Sequence, residues 1–200
     1  MANRKSEIGN PGHDTAASRA GRKLAVPRVG VGYDIHRLVD GRPLILGGVK
    51  IDSPRGLLGH SDADVVLHAV TDALCGAAGL PDIGELFPDN DPRYKDADSR
   101  TLLADVVQRV RAAGYAAANI DVIVHAERPK LSPYKRAIAE SIAGLVGLPP
   151  ELVSVKAKTN EGLGPIGQGE AMACTAVVMI VDFRPALDAA VSCPGFPIAD

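Results

Sequence analysis

Three helix-length segments, each closed by a glycine, alternate with β-branched runs, and this alternation constrains the fold more than any other feature of the chain. Residues 62–79, DADVVLHAVTDALCGAAG, read as an amphipathic helix with Ser61 as the expected N-cap and Gly79 as the C-cap. Residues 98–114, DSRTLLADVVQRVRAAG, read as a second helix capped by Asp98 or Ser99. Residues 132–147, SPYKRAIAESIAGLVG, read as a third, with Pro133 at its first position and Gly147 at its end. Strands are expected at 28–36, 119–127, 152–160 and 171–183, and two short ones at 43–51 around Gly47-Gly48. This order predicts an α/β (α+β) sandwich: a mostly four-stranded mixed sheet with helices on one face, plus a small β-hairpin.

The pattern occupies one domain, residues 28–183. Residues 1–27 are polar and aperiodic and are expected to form a disordered leader; residues 184–200, with Pro185, Pro194 and Pro197, are expected to form a flexible tail. A hydrophobic content of 46% excludes a disordered chain. The net charge of −2, with no basic stripe, speaks against a nucleic-acid partner. Three cysteines without a CxxC pair speak against a disulfide framework or a cysteine zinc site, and fit a reducing, cytoplasmic location. No apolar run reaches the length of a membrane span, and residues 1–27 lack a signal-peptide core, so no membrane association is expected. Four tyrosines, three phenylalanines and no tryptophan leave Val, Ile, Leu and Ala to build the core, and such a domain gains from burying more area in an oligomer.

The stretch GYDIH, residues 32–36, places Asp34 and His36 two apart on an extended segment, where side chains share a face. His68, inside the first helix, offers a third ligand of the right type. One carboxylate and two imidazoles with an open fourth position make up a catalytic divalent site, and imidazole suits zinc. Taken singly, His68 reads as a hydrogen-bonded core or helix-surface histidine rather than a ligand, and Asp34 fits a turn residue. Asp64, four residues before His68, is placed to orient it. Downstream, GLPDIGELFPDNDP (79–92) gathers Asp82, Glu85, Asp89 and Asp91 near Gly84. Its carboxylates suit polyol hydroxyls, and its composition equally fits a solvated acidic loop. The stretch KAKTNEGLGPIGQGE (156–170) matches GxGxxG at Gly162, Gly164 and Gly167. Pro165 and the β-branched run that follows exclude a dinucleotide fingerprint, which needs a helix after the glycines. Lys158 and Thr159 suit phosphate, and Glu161 suits a divalent cation.

Taken together, VGYDIHRL, LLGHSDADVVLHAVTDALCGAAGLPDIGELFPDNDP, ADSRTLL, NIDVIVHAERPKL and VSVKAKTNEGLGPIGQGE resemble the 2-C-methyl-D-erythritol 2,4-cyclodiphosphate synthase family across residues 28–181. The resemblance implies a homotrimer whose sheets face the three-fold axis and whose active sites lie between subunits. It implies a lyase of the non-mevalonate isoprenoid pathway. The 2-phosphate of a cytidine diphosphate methylerythritol substrate attacks the β-phosphate and expels CMP. It implies zinc at Asp34, His36 and His68. Methylerythritol phosphate contacts fall at His60, Ser61, Asp82, Gly84 and Asp89, the cytidine pocket at Ala126, Lys130 and Leu131, and diphosphate contacts at Lys158 and Thr159. Glu161 matches the ligand of a second ion, Mg²⁺ or Mn²⁺, that accompanies the diphosphate. Asp34, His36, His68, Thr159 and Glu161 are the residues to which the resemblance assigns the chemistry.

Two positions depart from the family pattern. Gln168 stands where many members have arginine, and Pro165 where an aromatic is common. Both lie in the region that lines a central isoprenoid-diphosphate cavity in some relatives, and Gln168 supplies no permanent charge for such a ligand. Two other functions fit the same residues. A metal-dependent phosphohydrolase would release free phosphate, and a nucleotide-binding module would do no chemistry.

Overall fold

The computed structural model describes residues 26–183. Nearly all of the expected leader, the tail, His13 and Cys193 lie outside the described residues. The chain runs through β1 (Arg28–Asp40), β2 (Leu44–Leu46), β3 (Val49–Ile51), β4 (Arg55–Leu58), α1 (Val65–Ala78), α2 (Ile83–Leu86), α3 (Ser99–Ala112), β5 (Tyr115–His125), α4 (Lys135–Val146), β6 (Val153–Lys158), α5 (Gly164–Gly167) and β7 (Ala171–Asp182). The main sheet has the order β4-β1-β7-β5-β6, and β2 and β3 form a separate hairpin. Only β5 and β6 pair in parallel; their crossover contains α4. The expected α+β sandwich is present, with α1 and α4 on one face of the sheet and α3 packed on α1.

The sheet has five strands where four were expected. The fifth, β4, is four residues long and contains Gly56, too short to show an alternating pattern. It pairs with the end of β1, from Arg37↔Leu58 to Asp40↔Arg55, and so carries β1 beyond the expected end at His36. Two helix starts also move. Asp64, not Ser61, caps α1, because its carboxylate accepts the N–H groups of Val66 and Leu67. The third helix begins at Lys135; Pro133 sits before it in the turn closed by Tyr134 N–H to the Leu131 carbonyl.

Two glycine pairs bring the layers together. A Cβ on Gly30 would sit 1.9 Å from the Ala73 carbonyl oxygen, and one on Gly32 would sit 2.0 Å from that of Ala69. Bare backbone at both positions lets α1 lie directly on β1. Gly47 and Gly48 both have positive φ, 62° and 77°, as the tight turn between β2 and β3 requires. Their N–H groups donate to Asp64 at 2.8 and 2.6 Å, which ties the hairpin tip to the start of α1. The core between sheet and helices joins Leu67, Leu74, Leu103, Ile138 and Ile142 to Ile120, Val122, Met172, Val178 and Ile180. On the opposite sheet face Val29, Val31, Tyr33 and Ile35 are exposed, Val31 by 63%.

Candidate metal centre

Alternation along β1 turns Gly30, Gly32, Asp34 and His36 toward the helices and the odd-numbered apolar residues away. The glycines admit α1, and α1 in turn brings His68 over the end of the strand. Asp34 Oδ2 lies 2.9 Å from His68 Nδ1 and 3.0 Å from His36 Nε2. The two imidazole nitrogens are 3.2 Å apart. A tetrahedral zinc with ligands near 2.05 Å would hold its donors about 3.3 Å apart, so these atoms already stand at the corners of such a site. Among the described residues, these three make up the one group of His, Cys, Asp or Glu side chains that converges in this way.

The remaining polar atoms are accounted for. Asp34 Oδ1 accepts the Ile35 N–H at 2.8 Å. His36 Nδ1 donates to the Leu58 carbonyl at 3.0 Å, which turns Nε2 toward Asp34 as the nitrogen that a metal would take once its proton is lost. Burial pushes the Asp34 carboxyl up, but hydrogen bonds and charge from His36 and His68 outweigh it and hold the group well below the usual carboxylate range. Burial pulls His36 down, but its hydrogen bond to Asp34 prevails and raises it. A divalent ion held by these three groups would compete with protons for the same ligand atoms.

Asp64 does not touch the His68 ring. It is fully buried, and its carboxylate accepts four backbone N–H groups, from Gly47, Gly48, Val66 and Leu67. The expectation that it orients His68 is therefore corrected. The His68 Nε2 atom instead faces Ser99 Oγ at 2.9 Å and Ser61 Oγ at 3.1 Å. Ser61 is buried behind the histidine, and the adjoining His60 is exposed. Ser99 was legible in the sequence only as a helix cap.

The acidic loop sits on the same helix as His68. Asp72, one turn further along α1, accepts the Ile83 N–H at 2.8 Å. That bond anchors α2, whose N-cap is Asp82, with its side chain accepting from Glu85 N–H at 2.9 Å. Asp82, Gly84 and Asp89 are all exposed on this loop. Asp72 is a positioning residue that the sequence reading did not identify; its i, i+4 relation to His68 was the available signal.

The other site residues gather across the sheet. Ala126 N–H donates to the Lys158 carbonyl at 2.9 Å, and Thr159 Oγ1 donates to Glu161 Oε1 at 2.6 Å. Glu127 accepts the N–H groups of Asn160 and Gly162, at 2.8 and 3.3 Å, and fixes the turn in which Glu161 takes a positive φ of 50°. Lys130, Lys158, Thr159 and Glu161 are exposed, whereas Ala126 and Leu131 are buried. A cleft of about 630 Å³ lies beside Lys130, walled by Leu38, Arg55, Glu127 and Arg128. The rungs of the sheet relate the two groups. His36 pairs with Met172, its neighbour Ala173 with His125, and His125 with Lys158. Lys158 thus lies at the level of the metal centre but three strand spacings away, about 14 Å.

A family model described as the YgbB family matches residues 27–181. A 2-C-methyl-D-erythritol 2,4-cyclodiphosphate synthase from Bordetella avium (strain 197N) is 58% identical over 158 residues, which cover 78% of this chain and 98% of that protein. The synthase of the same name from Gloeobacter violaceus (strain ATCC 29082 / PCC 7421) is 59% identical over 153 residues, 76% of this chain and 94% of its own length. Among solved structures, the bifunctional IspDF from Campylobacter jejuni matches with a TM-score of 0.77 and 44% identity, over 80% of this chain and 43% of that one. The chain thus spans less than half of that bifunctional protein. The CDP complex of IspF from Plasmodium falciparum matches with a TM-score of 0.69 and 35% identity, over 78% of this chain and 96% of that one. Ordered motifs, fold, metal geometry and relatives agree: the chain belongs to the YgbB family, that of the 2-C-methyl-D-erythritol 2,4-cyclodiphosphate synthases.

Proposed function

We propose that the protein converts 4-diphosphocytidyl-2-C-methyl-D-erythritol 2-phosphate into 2-C-methyl-D-erythritol 2,4-cyclodiphosphate and CMP, a phosphorus–oxygen lyase step of cytoplasmic, non-mevalonate isoprenoid precursor synthesis. The observation that carries this reading is the convergence of Asp34 Oδ2, His36 Nε2 and His68 Nδ1 within 3.2 Å of one another. In the reaction an oxygen of the 2-phosphate forms a bond to the β-phosphorus, the bond from that phosphorus to the bridging oxygen breaks, and CMP leaves with the electron pair.

Both reacting groups are anionic, so the protein must neutralise charge and hold the two ends of one flexible molecule together. Zinc, or another divalent ion at the triad, supplies Lewis-acid neutralisation of phosphate charge. Lys158 donates to the diphosphate, Thr159 does so once its hydroxyl proton turns away from Glu161, and Glu161 would then hold the second ion, Mg²⁺ or Mn²⁺. Asp82, with Gly84 and Asp89 beside it, accepts hydrogen bonds from the polyol hydroxyls. Exposed His60 places the methylerythritol phosphate end, with Ser61 buried beside it against His68. The cytidine binds at Ala126, Lys130 and Leu131, and the cleft beside Lys130 has a volume in the range of small-ligand sites. Fixing attacking and leaving groups in this way is worth effective molarities of about 10⁵ M or more. No covalent protein nucleophile is used.

The separation of the two groups across one sheet supports a homotrimer with active sites between subunits. In that assembly the triad of one protomer meets the Lys158–Glu161 turn of a neighbour, and the exposed Val29, Val31, Tyr33 and Ile35 face the three-fold axis. Among the described residues, no helix is long and apolar enough to cross a membrane.

The test is ³¹P NMR of the substrate incubated with protein, Zn²⁺ and Mg²⁺. The proposal expects the paired signals of a cyclic diphosphate to appear with CMP and to be absent with His68→Ala. Orthophosphate in place of the cyclic product, or an unchanged spectrum from metal-loaded protein, contradicts it.

A further inference from the structure

The carboxylate of Asp62 receives both the N–H and the hydroxyl of Ser99, the first residue of α3; its Oδ2 lies 3.2 Å from Ser99 N, and its Oδ1 forms a shorter contact with Ser99 Oγ. An ionised carboxylate only accepts hydrogen bonds, so the single hydroxyl proton of Ser99 points at Asp62. The lone pairs of Ser99 Oγ are then left for the atom on its other side, His68 Nε2 at 2.9 Å. A nitrogen facing a lone pair must carry the hydrogen. In the neutral ring the proton on Nε2 leaves the lone pair on Nδ1, the nitrogen turned toward Asp34 and His36.

We infer that Asp62 and Ser99 form a carboxylate–serine–histidine relay that fixes the tautomer and orientation of His68 for metal binding. The inference rests on the reading of Asp34, His36 and His68 as a divalent site. Ser99 is 1% exposed, so water does not compete for its hydroxyl. Ser61 Oγ, 3.1 Å from the same nitrogen, accepts the Ala63 N–H at 3.1 Å, and its own proton turns to the second lone pair of Ser99 Oγ at 3.5 Å. His36 reaches the same state by a different route, through the Leu58 carbonyl. Each imidazole of the triad is thus oriented by an acceptor on its outer nitrogen, one from the backbone of the edge strand and one from the start of α3. Ser99 and Asp62 are positioning residues: Ser99 touches the ligand His68, and Asp62 touches Ser99. Outer partners of metal-bound histidines are worth about 10- to 100-fold in metal affinity.

Two measurements on the full-length protein test the relay. In the first, zinc affinity is measured by competition with a chromophoric chelator for wild type, Ser99→Ala and Asp62→Asn. We expect wild type to bind one zinc per chain, Ser99→Ala to bind it about 10- to 100-fold more weakly, and Asp62→Asn to fall between. In the second, ¹⁵N NMR of the histidine rings in the zinc-loaded protein reads the His68 nitrogens directly, with no substitution needed. We expect Nδ1 metallated and Nε2 bearing a proton that exchanges slowly with water, and we expect that proton signal to disappear in Ser99→Ala. A substitution that merely loosened the fold would not remove this one signal while leaving the rest of the spectrum in place. Wild-type affinity and a retained Nε2 proton in Ser99→Ala would overturn the relay and leave the metal site standing. Metallation of His68 through Nε2 in wild type would also overturn it. Failure of wild type to bind zinc at these histidines would overturn the relay together with the site on which it rests.

Discussion

Asp98 shows how much a single side chain settles in this protein. Its carboxylate accepts the Arg100 N–H at 2.9 Å to cap α3, and also pairs with the Arg100 guanidinium. The Arg100 hydrogen bond holds the Asp98 carboxyl below its ordinary value. A depressed carboxyl stabilises the fold at pH values above its unfolded value, about 3.9, and that contribution is lost as pH falls through the lower folded value. Asp98→Ala is therefore expected to cost about 1 kcal/mol in urea unfolding at pH 7, with the difference from wild type shrinking as the pH is lowered through 4 toward 2. Legibility at this scale followed sequence distance. Asp34 and His36 could be paired because i, i+2 on a strand fixes a common face. The sequence admits Asp98 or Ser99 as the cap of α3, and it is Asp98. Asp64 was misread because spacing along a helix carries no information about the hairpin that binds it. The contact of Ser99 with His68 spans 31 positions and leaves no local trace.

At the scale of elements, the approach of α1 to β1 controls the site. Gly30 and Gly32 are the positions at which any side chain would strike helix backbone. Gly32→Ala is expected to push α1 outward, to destabilise the protein by about 3 kcal/mol in denaturant unfolding, and to weaken zinc binding, since His68 rides on α1 while Asp34 does not. An unchanged midpoint and unchanged zinc affinity would contradict this packing account. The long helices and strands were legible because each carries several turns or rungs of periodic pattern. β4 was not, because four residues cannot establish a period and its partner is the tail of β1. The helical turn α2 was hidden inside an acidic, proline-rich loop whose composition also fits a solvated segment.

At the scale of the whole molecule, one sheet face remains apolar in the single chain. Val29, Val31 and Tyr33 are all more than half exposed there, on a strand that is not at the sheet edge. Val31→Asp is expected to yield monomers in sedimentation velocity and to abolish cyclase activity, while zinc still binds, because the three ligands belong to one protomer. A trimer that survives this substitution would place the interface elsewhere. The resemblance carried the assembly into the sequence reading; composition alone hinted only that a core poor in aromatics would gain from a partner.

The central claim is that Asp34, His36 and His68 form one catalytic divalent centre. X-ray absorption at the zinc edge of the loaded protein tests it most directly. The account predicts a first shell of two imidazole nitrogens and light oxygen donors near 2.0–2.1 Å, with no sulfur, and loss of stoichiometric zinc in His68→Ala. A sulfur-containing shell, or zinc bound as tightly in His68→Ala as in wild type, would contradict it.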